Sequence, residues 1–218
     1  MFGSGFLIDN AGHILTNHHV LEPWWHNARE IPVPSDTFDP TIVSMWAYFP
    51  GYETPLPLHV QSVNEDFDLG LASVDLPENH PRPVTVDQQA AISGSSVVLI
   101  GYPTAVDAIL ARIDEPTLKR IAQTVGNSTE GLVQELARRK LIRPLVTQGH
   151  LGVVGPDRLV YDAQTTSGGS GGPVFDAGGK VIGVNFAILS SFSGSNFAVP
   201  ISRAAKMLET SKSAKAGL

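Results

Sequence analysis

The segment Ser167-Gly168-Gly169-Ser170-Gly171-Gly172-Pro173 sets a serine among four glycines. Glycine reaches backbone dihedrals closed to other residues, so the chain can bend sharply there and present the Ser170 hydroxyl. The same bend can aim the N–H groups of Gly168 and Ser170 at one point, the arrangement that stabilises a developing oxyanion in acyl transfer. A flexible Gly-Ser linker would share this composition, but the segment runs straight into the apolar Pro173-Val174-Phe175. Such a nucleophile needs a base. Leu15-Thr16-Asn17-His18-His19-Val20 places two histidines after an apolar run, and imidazole, with an ordinary pKa of about 6.5, suits proton transfer at neutral pH. A histidine pair also suits a metal, yet no third ligand lies at regular spacing. Asp66-Phe67-Asp68-Leu69-Gly70-Leu71 offers two acids at the head of another apolar run. Either an edge charge or the carboxylate that holds a histidine in its productive tautomer would fit there. The chain order His, Asp, Ser argues against an α/β-hydrolase, whose order is Ser, acid, His.

These groups must be carried by strands. Residues 5–8 and 13–16 flank Asp9-Asn10-Ala11-Gly12, a hairpin signal. Residues 41–47, 59–63 and 69–73 read as further short strands of β-branched and apolar residues. Pro-rich loop sequence, including Ile31-Pro32-Val33-Pro34, separates the early ones. Residues 76–91 read as a proline-stiffened linker. A second β series follows at 96–100, 146–154, 158–163, 173–176, 181–188 and 196–199. Between its first two strands, residues 105–141 change period: Val106, Ile109, Leu110 and Ile113, then Leu118, Ile121, Ala122 and Val125, recur at helical spacing, as do Leu132, Val133, Leu136 and Ala137. Pro116 suits a first helical turn, and Gly126-Asn127-Ser128 reads as a stop followed by a cap. Residues 201–208 read as a C-terminal helix with a frayed tail beyond it. The division is therefore 1–75, a first β unit with the His and Asp motifs; 76–91, a linker; 92–200, a second β unit with the serine and a helical insertion at 105–141; and 201–218, helix and tail.

Composition agrees with this architecture. Charged residues are 17% of the 218, against about 25% in average soluble domains, and 21 Gly with 16 Pro favour short strands and tight turns. A hydrophobic content of 42% is too high for a disordered chain. The net charge of −6 argues against nucleic acid as a partner. With no cysteine there is neither a disulfide framework nor a thiolate nucleophile. No apolar run approaches the roughly 18 residues of a membrane span, and the first residues show no signal-peptide pattern. The compartment stays open, since a leader can be removed from a longer precursor.

Taken together, Thr16-Asn17-His18-His19-Val20, Asp68-Leu69-Gly70-Leu71 and Gly168-Gly169-Ser170-Gly171-Gly172-Pro173 resemble the chymotrypsin-fold serine proteases, closest to the HtrA/Deg and bacterial glutamyl endopeptidase branches. Ile100-Gly101-Tyr102-Pro103, Tyr161-Asp162-Ala163, Val181-Ile182-Gly183-Val184-Asn185 and Asn196-Phe197-Ala198-Val199-Pro200 extend the resemblance over nearly all the chain except the insertion. It implies an all-β fold of two antiparallel barrels of the six-stranded type, the first short of its N-terminal strand. The five strands read in the first unit imply a fragment, a processed form, or an edge covered by other means.

The resemblance further implies Ser170 as nucleophile, His19 and not His18 as base, and Asp68 and not Asp66 as the orienting carboxylate. Gly168 and Ser170 would supply the oxyanion N–H groups. Gly169 stands where relatives carry Asp or Asn, so a side-chain contact used there is missing. The implied substrate pocket is walled by Gln164, Thr165, Thr166, Asn185, Phe186, Ala187, Asn196 and Ala198. None is charged, so Lys or Arg would lack a counter-ion. Glutamyl endopeptidases carry a histidine at the place of Asn185, and without it a preference for small or medium apolar side chains is expected. The implied function is a serine endopeptidase acting on polypeptides without a metal or cofactor, the alternative being a silent or latent binding module. The insertion lies where relatives have a loop that orders on activation, which makes it a lid, a decoration, or a contact for a second copy or a regulatory partner. Arg138, Arg139, Lys140 and Arg143 on it read as a solvated face.

Overall fold

The computed structural model describes residues 1–27, 41–87, 91–188, 195–205 and 207–209, with His26, Asn27, Ala187 and Ile188 described by backbone alone. The loop reading at Ile31 to Pro34, part of the 76–91 linker and the C-terminal tail lie outside the described residues.

In the first half, strands β1 (Phe6–Leu7), β2 (His13–Thr16), β5 (His59–Asn64) and β6 (Leu69–Ser73) form an antiparallel sheet in the order β1-β2-β6-β5. Between β2 and β5 lie the short helices α1 (His18–Leu21) and α2 (Pro23–Asn27) and the hairpin of β3 (Trp46–Ala47) with β4 (Leu56–Pro57). The strand expected over 41–47 is thus confined to its last two residues. Ile42 and Val43 are exposed, and β-branched propensity without a pairing partner does not make a strand.

The second half closes. Strands β7 (Ser96–Gly101), β8 (Leu145–Val154), β9 (Leu159–Tyr161), β10 (Pro173–Asp176), β11 (Val181–Ile188) and β12 (Asn196–Pro200) form a barrel in the order β10-β11-β12-β9-β8-β7, sealed by β10 against β7. Alternation along β7, with Val97 and Leu99 buried and their neighbours half-exposed, is the period-2 pattern of a barrel wall. The fold is mostly β, as the sequence implied.

One hydrophobic cluster joins the halves. Phe6, Leu15, Leu69 and Leu71 pack with Val181, Val184 and Val199, and Ile201, Ala204, Met207 and Leu208 close over them. The expected C-terminal helix begins as a 3-10 turn, Ile201–Ala204.

The insertion between β7 and β8 holds helices α3 (Val106–Leu110), α4 (Glu115–Val125) and α5 (Thr129–Arg138). Asp114 caps α4 by accepting from the Thr117 N–H, and Ser128 caps α5 by accepting from Gly131 N–H. Ile109, Ile121, Val133, Leu136, Ala137 and Ile142 form its own small core, against which Tyr48 of the first half and Tyr102 also pack. The basic residues are not simply solvated: Glu135 holds Arg138 and Arg139, and Lys140 pairs with Glu53.

Candidate active site

His19 and Asp68 face each other across the first half. The turn from β2 into α1 carries the histidine, and the approach to β6 carries the aspartate. His19 Nδ1 lies 2.7 Å from Asp68 Oδ2, and the His19 backbone N–H donates to Asp68 Oδ1 at 3.0 Å. Asp68 adopts φ +51°, a left-handed conformation that Asp tolerates better than most residues. The Asn17 side-chain amide donates to the Asp68 carbonyl at 2.8 Å, pinning that unusual backbone. The adjacent His18 is fully buried, its Nε2 lies 2.7 Å from Glu22 Oε2, and its ring leans on Trp25 at 4.3 Å. The two histidines of the motif therefore part ways, one in the core and one at the cleft. Among the described residues no group of three or more His, Cys, Asp or Glu side chains is placed to hold a metal.

The serine rides on two overlapping turns. Gly169 N–H donates to Thr166 O at 2.9 Å, and Gly172 N–H donates to Gly169 O at 3.0 Å. The third residues of these turns, Gly168 and Gly171, have φ +88° and +85°, the positive value that a type II turn requires at that position. Ser170 sits at the corner of the second. In the first turn the Ser167 carbonyl accepts from Thr104 N–H at 2.6 Å. Since N–H and C=O point oppositely across a trans peptide, the Gly168 N–H faces away from Thr104. Neither the Gly168 nor the Ser170 N–H has an acceptor among the described residues.

Ser4 ties this loop to the first half. Its N–H donates to the Ser170 carbonyl at 2.7 Å, and its hydroxyl donates to the Gly168 carbonyl at 2.7 Å while accepting from Tyr102 N–H at 3.0 Å. Thr16 Oγ1 donates to the Ser4 carbonyl at 2.6 Å. Composition gave no sign of Ser4 or Thr104, since both act through backbone groups or over long sequence distances. Asn17, by contrast, stood in the histidine motif.

His19, Asp68 and Ser170 line one open cleft of about 670 Å³. Of the expected pocket residues, Thr166, Asn185 and Phe186 line it as well, together with Trp25, Phe67, Glu65, Asp66, Asp157 and Arg158. Arg158 stacks near the rings of Phe186 and Phe197, at 5.8 and 5.6 Å from their centroids. Gln164 and Thr165 border a separate small cavity beside β7 and β8. Asn196 and Ala198 are buried in the barrel, where the Asn196 amide donates to Ala163 O at 2.7 Å. The Ala187 side chain lies outside the described residues.

Comparison with known proteins gives a consistent picture. A family model described as a trypsin-like peptidase domain matches residues 3–184. Protease Do-like 1, chloroplastic, of Arabidopsis thaliana is 30% identical over 203 residues, covering 91% of this chain and 36% of the relative. The putative serine protease HhoA of Synechocystis sp. is 29% identical over 217 residues, covering 95% of this chain and 42% of the relative. The chain thus spans less than half the length of these curated relatives. A crystal structure of the serine endoprotease from Yersinia pestis superposes with a TM-score of 0.63 at 21% identity, covering 95% of this chain and 56% of that one. Among the described residues no helix is long and apolar enough to cross a membrane.

Proposed function

The chain belongs to the trypsin-like peptidase domain family, and on that premise we propose that it is a serine endopeptidase using Ser170, His19 and Asp68. Ser170 Oγ attacks the scissile carbonyl while His19 Nε2 takes its proton. The N–H groups of Gly168 and Ser170 donate to the tetrahedral oxyanion, an effect of about 3–4 kcal/mol per donor in a measured protease. His19 then returns the proton to the leaving amine, and the acyl group stays on Ser170 as an ester. Water, deprotonated by His19, hydrolyses that ester and restores the hydroxyl.

The observation that carries this reading is the meeting, in one cleft, of a histidine clamped by a carboxylate with a serine whose own N–H and that of Gly168 have no acceptor among the described residues. On this reading residues 1–75 bring the base, residues 92–200 bring the nucleophile, and the cleft lies between them. Small or medium apolar side chains remain the proposed preference at the cleaved residue, because Thr166 and Phe186, the expected pocket residues left to meet a substrate, are uncharged, while Glu65, Asp66, Asp157 and Arg158 line the same cleft.

A fluorophosphonate probe tests the chemistry. Labelling of the chain that disappears in Ser170→Ala is the expected result, and an unlabelled parent would favour a silent binding module instead. A peptide library then tests specificity, and cleavage dominated by Lys, Arg or Glu at the cleaved residue would overturn the apolar preference.

A further inference from the structure

Gly169 is shared by both turns of the nucleophile loop, yet it has no side chain with which to anchor itself. A Cβ there would strike Thr165 Oγ1 and the Thr166 carbonyl. What holds it is its carbonyl, which accepts from the Asn185 side-chain amide at 2.8 Å as well as from Gly172 N–H. That carbonyl and the Ser170 N–H belong to the same planar peptide group, so fixing one fixes the direction of the other.

The Asn185 amide is itself locked. Tyr161 OH lies 2.6 Å from Asn185 Oδ1. A carbonyl can only accept, so Nδ2 must face Gly169 and Oδ1 must face the phenol, which must donate. Tyr161 is packed in the barrel core among Val97, Leu99, Leu159 and Val174, and burial raises its phenol pKa, keeping that donor proton in place. The backbone of Asn185 adds two more ties, accepting from Gly171 N–H at 2.7 Å and donating to Gly172 O at 2.9 Å. An amide engaged on both sides, with Thr165 Oγ1 at 3.5 Å from the same nitrogen, has little left for a substrate.

We propose that Asn185 and Tyr161 are positioning residues for the oxyanion turn: Tyr161 orients the Asn185 amide, and the amide holds the Gly169–Ser170 peptide so that the Ser170 N–H points at the reacting carbonyl. This rests on the reading of Ser170 as nucleophile. It changes the expected part of Asn185, from recognising the substrate side chain to building the site that stabilises the transition state.

The test is Asn185→Asp, which keeps size and the acceptor for Tyr161 but removes the donor to Gly169, alongside Tyr161→Phe and the double variant. Each is assayed by fluorophosphonate labelling and by hydrolysis of a small p-nitrophenyl ester. Removing a whole oxyanion donor costs about 10²–10³ in kcat, so Asn185→Asp is expected to lower kcat and the labelling rate by about 10- to 100-fold with KM unchanged. The ratio of variant to parent recovers as pH falls, because the protonated carboxyl donates again. Tyr161→Phe gives a smaller loss, and the double variant is no worse than Asn185→Asp. Parental kcat and labelling, with an altered KM or a new preference for Lys or Arg, would overturn the proposal. A parent unlabelled at Ser170 would instead sink the nucleophile reading. In that event the amide ¹H–¹⁵N signal of Ser170 decides: positioning requires that Asn185→Asp displace it, and an unmoved signal refutes it. If Asn185→Asp fails to fold, Tyr161→Phe, which keeps the ring in the core, carries both measurements, and parental rates with an unmoved signal count against the pair.

Discussion

His19 and Asp68 are joined twice, ring to carboxylate at 2.7 Å and backbone N–H to the other carboxylate oxygen at 3.0 Å. Both oxygens of Asp68 are therefore acceptors toward one residue. In Asp68→Asn only one acceptor remains. If it stays on the backbone N–H, the new NH₂ faces Nδ1 and drives the ring proton to Nε2, the atom that accepts from Ser170 in the proposed mechanism. A loss in kcat of about 10⁴-fold at neutral pH is expected, as for the equivalent change in a measured triad, with the fold retained by circular dichroism. A loss below tenfold in ester hydrolysis would remove Asp68 from the proposed mechanism.

Asn17 tests whether the backbone of Asp68 needs support. Its amide donates to the Asp68 carbonyl, and Asp68 has φ +51°. Asn17→Ala removes that bond inside a buried site, where a lost partner costs about 1–3 kcal/mol. Asn17 Oδ1 is buried without a partner among the described residues, so alanine also relieves one unsatisfied acceptor, and the lower end of that range is expected. Urea unfolding measures the stability loss. The kcat should fall as well, by less than in Asp68→Asn, because the carboxylate remains.

Ser4 makes a prediction about stability across the two halves. Its hydroxyl is both donor to Gly168 O and acceptor from Tyr102 N–H, so Ser4→Ala strands two backbone groups at once. A loss of about 1–3 kcal/mol is expected by urea unfolding. Ser93→Ala, at an exposed position, should stay within about 0.5 kcal/mol. Equal effects at the two serines would mean that the Ser4 ties carry no net stability.

The parts of this site that were legible in the sequence are those written in side-chain type. A histidine after one strand, an aspartate before another and a serine among glycines have few other reasons to occur in that order, and the type II turns explain two of the four glycines, Gly168 and Gly171. The Ser128 cap was legible too, because it acts on an N–H three residues away, whereas the Asp114 cap of α4 emerged only with the structure. What escaped was written in backbone groups or across distance. Thr104 holds the turn at Gly168 through its N–H, which any residue but proline could supply. Ser4 reaches a carbonyl 164 positions along the chain. Residues 41–45 carry β-branched side chains but no strand, because strand formation depends on a neighbour that local sequence does not reveal. Asn185 was readable as a wall residue; only its partners, Tyr161 and Gly169, show where its amide is committed.

The insertion yields a pH prediction. Glu135 is buried on α5 and accepts from Arg138 Nε and Nη2 at 2.7 and 2.8 Å and from Arg139 Nε at 2.6 Å. The Arg138 hydrogen bonds first, and that of Arg139 next, hold its carboxyl down from the ordinary 4.5 to about 2. A folded-state pKa below the unfolded one means the ionised form favours folding. The stabilisation is therefore complete above about pH 4.5, and it is lost as pH falls through about 2. Other carboxylates titrate in the same range, so the informative quantity is the difference between the parent and Glu135→Gln, which cannot ionise. Urea unfolding followed at 222 nm should show the parent more stable than the variant at pH 7. That gap should narrow steadily from pH 4.5 toward pH 2. A gap independent of pH would mean that the variant's loss comes from packing and that the arginine clamp does not act through charge.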